Sequence, residues 1–276
     1  MLRIDDGAVK IFESDLYRTT STVVVTDTHV LVADPCWLPR EVEEIRAYVE
    51  RVRGDRQVVL LFTHSDFDHI IGWRAFPGAL VVASGSFARS SAAERERNLD
   101  QIRDFDDKYY LKRNYEIAFP EVDHPMDGDG GALALGDARL VCYQAPGHNA
   151  DGMMTVVEPH GVLILGDYLS DAEFPFIFHD SASYEETLLK LDAIAQLHEI
   201  KLFVPGHGSP SSDPERMRAR RDADLRYIRE LRRMVEAGDE EGAARLIAEA
   251  PFPLNQRKYH EENTNKIRRE IADAAR

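Results

Sequence analysis

The chain has 276 residues, 43% of them hydrophobic, enough to bury a large core as one domain or two. With 49 acidic against 34 basic residues the formal charge is -15, which sets the surface as a whole against nucleic acid and anionic membrane. No stretch approaches the roughly 18 apolar residues of a membrane span, "MLRIDDGAVKIF" has no apolar signal core, and Cys36 and Cys142 have neither metal spacing nor a disulfide framework. The expectation is a cytoplasmic protein acting on a small molecule, with no membrane and no nucleic-acid partner.

In chain order, "STVVVTDTHVLVADP" reads as a hairpin whose β-branched runs flank a turn around Asp27 and Thr28. "PREVEEIRAYVERVRG" follows as an amphipathic helix, with Pro39 near its first turn and Gly54 at its end. "QVVLLF" is a fully buried strand and "ALVVA" a further short one. Residues 84–115 turn charged and helical, with few β formers, and read as an insertion over one face. Strand signals return in "ARLVCYQAPGH", "MMTVVEPHGVLILGD" and "KLFVPGHG", with the helix "SYEETLLKLDAIAQLHE" before the last of them. The tail, residues 213–276, is helical: Asp213 is the N-cap, Pro214 the first helical residue, and Leu225, Ile228, Leu231 and Val235 recur at helical spacing. With no linker or repeat, residues 1–276 read as a single domain of layered α/β architecture.

The residues that carry chemistry lie at strand ends. "THSDFDHI", directly after the buried strand, holds His64, Asp66, Asp68 and His69 within six positions. "APGHNADG" places His148 after a second strand, "LILGDYL" places Asp167 after a third, and "LFVPGHG" places His207 after a fourth. Four polar clusters at the ends of apolar strands can converge on one edge of a sheet. Each alone reads as a turn or a helix cap; the ordered set points to metal binding, because imidazole and carboxylate suit zinc, manganese and iron.

In this order the motifs resemble those of the metallo-β-lactamase-fold metallohydrolases, whose pattern is "THxHxDH", then a "PGH" histidine, a "GD" aspartate and a "GH" histidine. The resemblance runs from about Val23 to Gly208 and departs at one position, Asp66, where the family has a histidine. It implies an αββα sandwich and two divalent metal ions: His64, Asp66 and His148 on the first, Asp68, His69 and His207 on the second, with Asp167 bridging. It further implies hydrolysis by a metal-bound hydroxide, with Asp68 and Asp167 catalytic as well as ligating. Three carboxylates and a hydroxide neutralise two divalent ions, so a small ester, lactone or thioester is expected over a phosphodiester, and hard oxygen ligation tilts preference from zinc toward manganese or iron. A carboxylate at this position also occurs in flavodiiron oxidoreductases, which the chain resembles in fold; the helical tail has no βαβ pattern for their flavin domain, so that alternative needs a separate electron donor. A non-enzymatic metal-binding homologue is the third alternative, and no ligand position here has lost its coordinating ability.

Around this set, His179 in "FPFIFHDSAS" is the candidate proton donor, with helix-capping surroundings as the plainer explanation. Phe174, Phe176 and Phe178 alternate as a pocket wall or a half-buried segment would. Tyr109, Tyr110 and Tyr168 are candidates to place a phenol near the bridging water, with packing as the plainer explanation. The arginines of "RMRARR" are a candidate phosphate or carboxylate grip, with a solvated helix face as the plainer explanation, and His29, His124, His160 and His198 have no role. His260 reaches the site only if the tail folds back.

Overall fold

In the computed structural model of the chain the described residues are 7–276, together with the strand backbone at 2–5. The first half contains β1 (Leu2–Asp5), β2 (Val9–Glu13), β3 (Thr20–Val25), β4 (His29–Ala33), α1 (Pro39–Arg53), β5 (Gln57–Leu61), α2 (Phe67–Ile70), β6 (Leu80–Ser84), α3 (Gly85–Ala88), α4 (Ala92–Lys108) and β7 (His124–Met126). The second half contains β8 (Gly131–Leu135), β9 (Ala138–Gln144), β10 (Met153–Glu158), β11 (Val162–Ile164), α5 (Ser181–Leu197), β12 (Leu202–Val204), α6 (Pro214–Ala237), α7 (Glu240–Arg245) and α8 (Pro253–Ala274). Among the described residues, β1 to β7 form one sheet in sequence order, and β12-β11-β10-β9-β8 form the other.

Side chains on a strand alternate between faces, and here each face has its own partner. In β5, Val59 and Leu61 join Leu31, Val82, Leu140, Cys142, Val157 and Ile164 in the core between the sheets. Val58 and Leu60 point the other way, packing with Ile45 and Val49 of α1 and Leu99 and Ile102 of α4. On the second sheet Val141, Tyr143, Val156 and Leu163 pack outward on Leu188 and Leu191 of α5, Leu225 and Ile228 of α6, and Ile267 of α8. Helices therefore cover both outer faces, giving the αββα sandwich. Both cysteines are free and buried.

The expected hairpin, α1 with Gly54 at its C-cap, and α6 with Asp213 as N-cap all occur. The 84–115 segment is helical only to Lys108. β1, β2, β7 and β8 carried no strand expectation.

Strand direction positions the site. β9 and β11 both run antiparallel to β10, and β12 runs parallel to β11, so all three end at one edge. β4 and β5 are parallel in the other sheet, and their C-terminal ends meet the same edge: Thr20 of β3 bonds the loop after β12, its amide donating to the Gly206 carbonyl at 2.7 Å and its hydroxyl to Pro205 at 2.6 Å.

Candidate metal centre

The structure brings all seven ligand-type residues together in two groups, His64, Asp66, His148 and Asp167 in one and Asp68, His69 and His207 in the other. Asp167 lies between them. Its Oδ2 is 3.7 Å from His64 Nε2, 3.2 Å from His148 Nε2 and 3.3 Å from His207 Nε2, and its Oδ1 is 3.2 Å from His69 Nε2. The approach is close because Gly206 has no side chain: a Cβ there would stand 2.2 Å from Asp167 Oδ1.

Each imidazole is fixed by its outer nitrogen. His148 Nδ1 donates to the Phe176 carbonyl at 2.7 Å and His207 Nδ1 to the Tyr17 carbonyl at 2.9 Å, acceptors that leave the proton no other place. His69 Nδ1 donates to Asp34 Oδ2 at 2.9 Å. The same oxygen accepts from Thr63 Oγ1 at 2.6 Å, so the threonine oxygen is free to accept from His64 Nδ1 at 3.0 Å. All four rings therefore present Nε2 lone pairs to the carboxylates. Acceptor faces acceptor, and among the described residues His64 Nε2, His69 Nε2 and Asp167 Oδ1 are buried without a hydrogen-bond partner.

That arrangement requires positive charge in the middle. Protons supply it in the ion-free protein: burial draws the His148 pKa down, but Asp167 and Asp66 outweigh it and carry it up to about 9. For His207 burial is likewise outweighed, by Asp167 and Glu173, and its pKa reaches about 10. Burial alone would raise Asp167, yet His207, His69, His64 and His148 hold it well below the usual carboxylate range. Divalent ions would fill the same positions with fixed charge, so the residues present fit a pair of them.

Asp66 sits at the N-cap of α2 but makes no capping hydrogen bond. Its carboxylate turns inward instead, 3.1 Å from His148 Nε2, and accepts from Asn149 Nδ2 at 2.6 Å.

Above the cluster opens a cleft of about 770 Å³. α4 and α8 both contribute walls, and Glu173, Phe176 and Phe178 line it from the connection between β11 and α5. His179 belongs to the same connection, but its imidazole is exposed and is not among the residues lining the cleft; its amide donates to the His148 carbonyl at 2.9 Å. The residue facing the cluster is Glu173, six positions earlier, whose pKa burial pushes up to about 7. Tyr168 is a strut, its hydroxyl donating to Ala145 O at 2.9 Å and accepting from the His148 amide at 3.1 Å. Tyr110 is exposed. The tail does fold back, but it is Tyr259 that lines the cleft, while His260 bonds the Tyr227 hydroxyl at 2.9 Å.

Sequence reasoning missed Asp34, Glu173, Asn149 and Tyr259. Asp34 alone left a signal, an acidic residue at the end of an apolar strand.

Two face-to-face sheets between helices, with histidines and aspartates gathered at one sheet edge, define an αββα protein with side-chain clusters able to hold divalent metal ions. The family model of the metallo-beta-lactamase superfamily matches residues 15–207, and the chain belongs to that superfamily. No curated protein sequence matches it. Among solved structures it is similar to a metallo-beta-lactamase family protein of Thermus thermophilus, with TM-score 0.66 and 19% identity over 97% of this chain and 94% of that one. It is also similar to a double mutant of the sec-alkyl sulfatase PisA1, with TM-score 0.70 and 13% identity, covering 98% of this chain and 50% of that one. ETHE1 from Myxococcus xanthus matches with TM-score 0.54 and 15% identity over 84% of this chain and 91% of that one. At these identities the likeness is one of fold.

Proposed function

We propose that the chain is a hydrolase holding two divalent cations, one on His64, Asp66 and His148, the other on Asp68, His69 and His207, with Asp167 shared. The observation that supports this most is the inward orientation of four buried imidazoles onto one carboxylate, each ring held by an outer partner. Ions bound there supply an acidified water and positive charge for a developing oxyanion. The chain contributes the rest. Asp167 keeps the two groups at a fixed spacing, Asp34 and Thr63 hold His69 and His64 in register, and Glu173 is placed to hand a proton to the leaving group, the role sequence reasoning gave to His179.

An ester, lactone or thioester is the preferred substrate. Asp66, Asp68 and Asp167 offset most of the charge of two divalent ions, and at the cleft Lys108 and Lys258 are opposed by Asp104, Glu173 and Glu262, so a polyanion meets no concentrated positive field. Three carboxylates in the set favour manganese or iron over zinc. Two free, buried cysteines suit a reducing compartment, and we place the activity in the cytoplasm. No helix among the described residues is long and apolar enough to cross a membrane.

The test is metal analysis of untagged protein followed by a panel of esters, lactones, thioesters and phosphodiesters, with Asp167→Ala as control. We expect close to two equivalents of metal, turnover of a carbonyl substrate, and its loss in the folded variant. Near-wild-type turnover by metal-loaded Asp167→Ala would refute the reading.

A further inference from the structure

Two aromatic groups line the cleft with the ligand cluster. In one, Trp37 meets Phe67 edge to face with ring centroids 5.2 Å apart, and Tyr17 at 5.6 Å. In the other, Tyr259 of α8 stacks on Phe176 at 4.1 Å with 20° between planes, and Phe178 packs against the ring of His148 at 5.0 Å. These six aromatics line the cleft together with the floor carboxylates.

Ordinary core packing would hide such rings. Phe178 and Tyr17, however, both lining the cleft, keep 39% and 43% of their surface exposed. Apolar surface left open beside a polar centre marks a place where a ligand supplies the missing contact. The volume agrees, since about 770 Å³ is far more than an acetyl-sized group occupies and falls in the range of pockets that enclose drug-sized ligands. The wall carrying Tyr259 lies outside residues 15–207, the part of the chain matched by the superfamily, which holds every metal-ligand candidate.

We propose that the substrate carries an aryl group that lies against Tyr259, Phe176 and Phe178, so that α8 selects the substrate while the superfamily segment performs the chemistry. The identity of the reaction rests on the hydrolase reading; the binding preference does not. A planar group inserted beside Phe178 gains offset or edge contacts with rings already fixed by their neighbours, at little cost in side-chain ordering. The substrate class thereby narrows from small esters to those with an aromatic acyl or leaving group.

The test reads binding, not turnover. Protein loaded with manganese is titrated calorimetrically with acetate, octanoate and phenylacetate, whose shared carboxylate reports on the centre and whose remainder reports on the wall. Phenylacetate is expected to bind at least about tenfold tighter than acetate. Tyr259→Ala should collapse that ratio to below about threefold, and Tyr259→Phe, which keeps the ring, should preserve it. Equal affinities in the wild type overturn the proposal, as does a ratio that survives Tyr259→Ala in correctly folded, metal-loaded protein. Octanoate distinguishes shape within the class: if only octanoate gains, a linear chain and not a ring is the occupant, and the aryl assignment fails. A negative result in the ester panel would leave these outcomes unaffected.

Discussion

Asp34 holds two ligand rings without facing the cluster itself, His69 directly and His64 through Thr63. Removing its charge in Asp34→Asn should loosen both rings at once, and metal affinity is expected to fall by about 10- to 100-fold with the fold retained, measured by competition with a chromogenic chelator. Unchanged affinity would mean that the rings are held by packing alone. Gly206→Ala should act more directly: a Cβ 2.2 Å from Asp167 Oδ1 must displace the carboxylate that lies between the two groups, so metal content is expected to drop to one equivalent or less. Asp66 is expected to set the choice of ion. Wild type reconstituted with manganese or ferrous iron should outperform the zinc form, and Asp66→His should reverse the order; indifference of both proteins to the metal would remove Asp66 from the ligand set. At this scale the sequence was informative where a ligand-type residue followed an apolar strand. It was silent at Glu173, since "DAEF" has the look of any solvated turn and only the path of the connection carries it to the cluster.

Among the elements, α6 shows where helical periodicity falls short. Its apolar stripe was readable, and Leu225, Ile228 and Leu231 are buried as their spacing requires. Its charges were not. Arg220, expected on a solvated face, braces the loops after β11 and β12, donating to Leu169 O at 3.1 Å and Ser209 O at 2.8 Å and pairing with Asp171 at 2.9 Å. Asp224 is buried, and burial raises its pKa to about 8 against the opposing effects of the Leu169 amide and Arg220. From about pH 4 to pH 8 the folded chain thus holds a proton there that the unfolded chain has lost, so this group makes stability fall as pH rises across that window. Asp224→Asn should stabilise the metal-free protein by about 1–3 kcal/mol at pH 8 and by much less at pH 4.5, read from urea midpoints. An equal effect at both pH values would place the Asp224 pKa near its ordinary value. β7 and β8 were unreadable for a different reason: three residues of "HPM" and the glycine-led "GALAL", largely unburied, give little alternation to detect.

For the molecule as a whole, residues 15–207 were legible because strand ends, metal-type side chains and turn glycines coincide there. The tail was legible only as helix, because a polar stripe on α8 looks like a surface. In the fold that stripe faces inward: Gln256, Asn263 and Glu270 recur every seven residues, the first two bonding the connection that follows Asp167 and the third Ser181 at the start of α5. Asn263 grips both sides of Phe176, donating to Pro175 O at 2.6 Å and accepting from the Ile177 amide at 2.8 Å, while Phe176 O holds His148. A cation held by His148 is therefore expected to be coupled to the docking of α8, and by linkage each would strengthen the other by the same factor. Stripping the ions with a chelator should speed amide exchange along residues 255–270, and Asn263→Ala should weaken ion binding although its side chain ligates nothing. Exchange in α8 that ignores the chelator would uncouple them. If the coupling holds, the helix that lines the cleft also reports whether the centre beneath it is charged, so that an empty protein offers its ligand a looser wall than a loaded one.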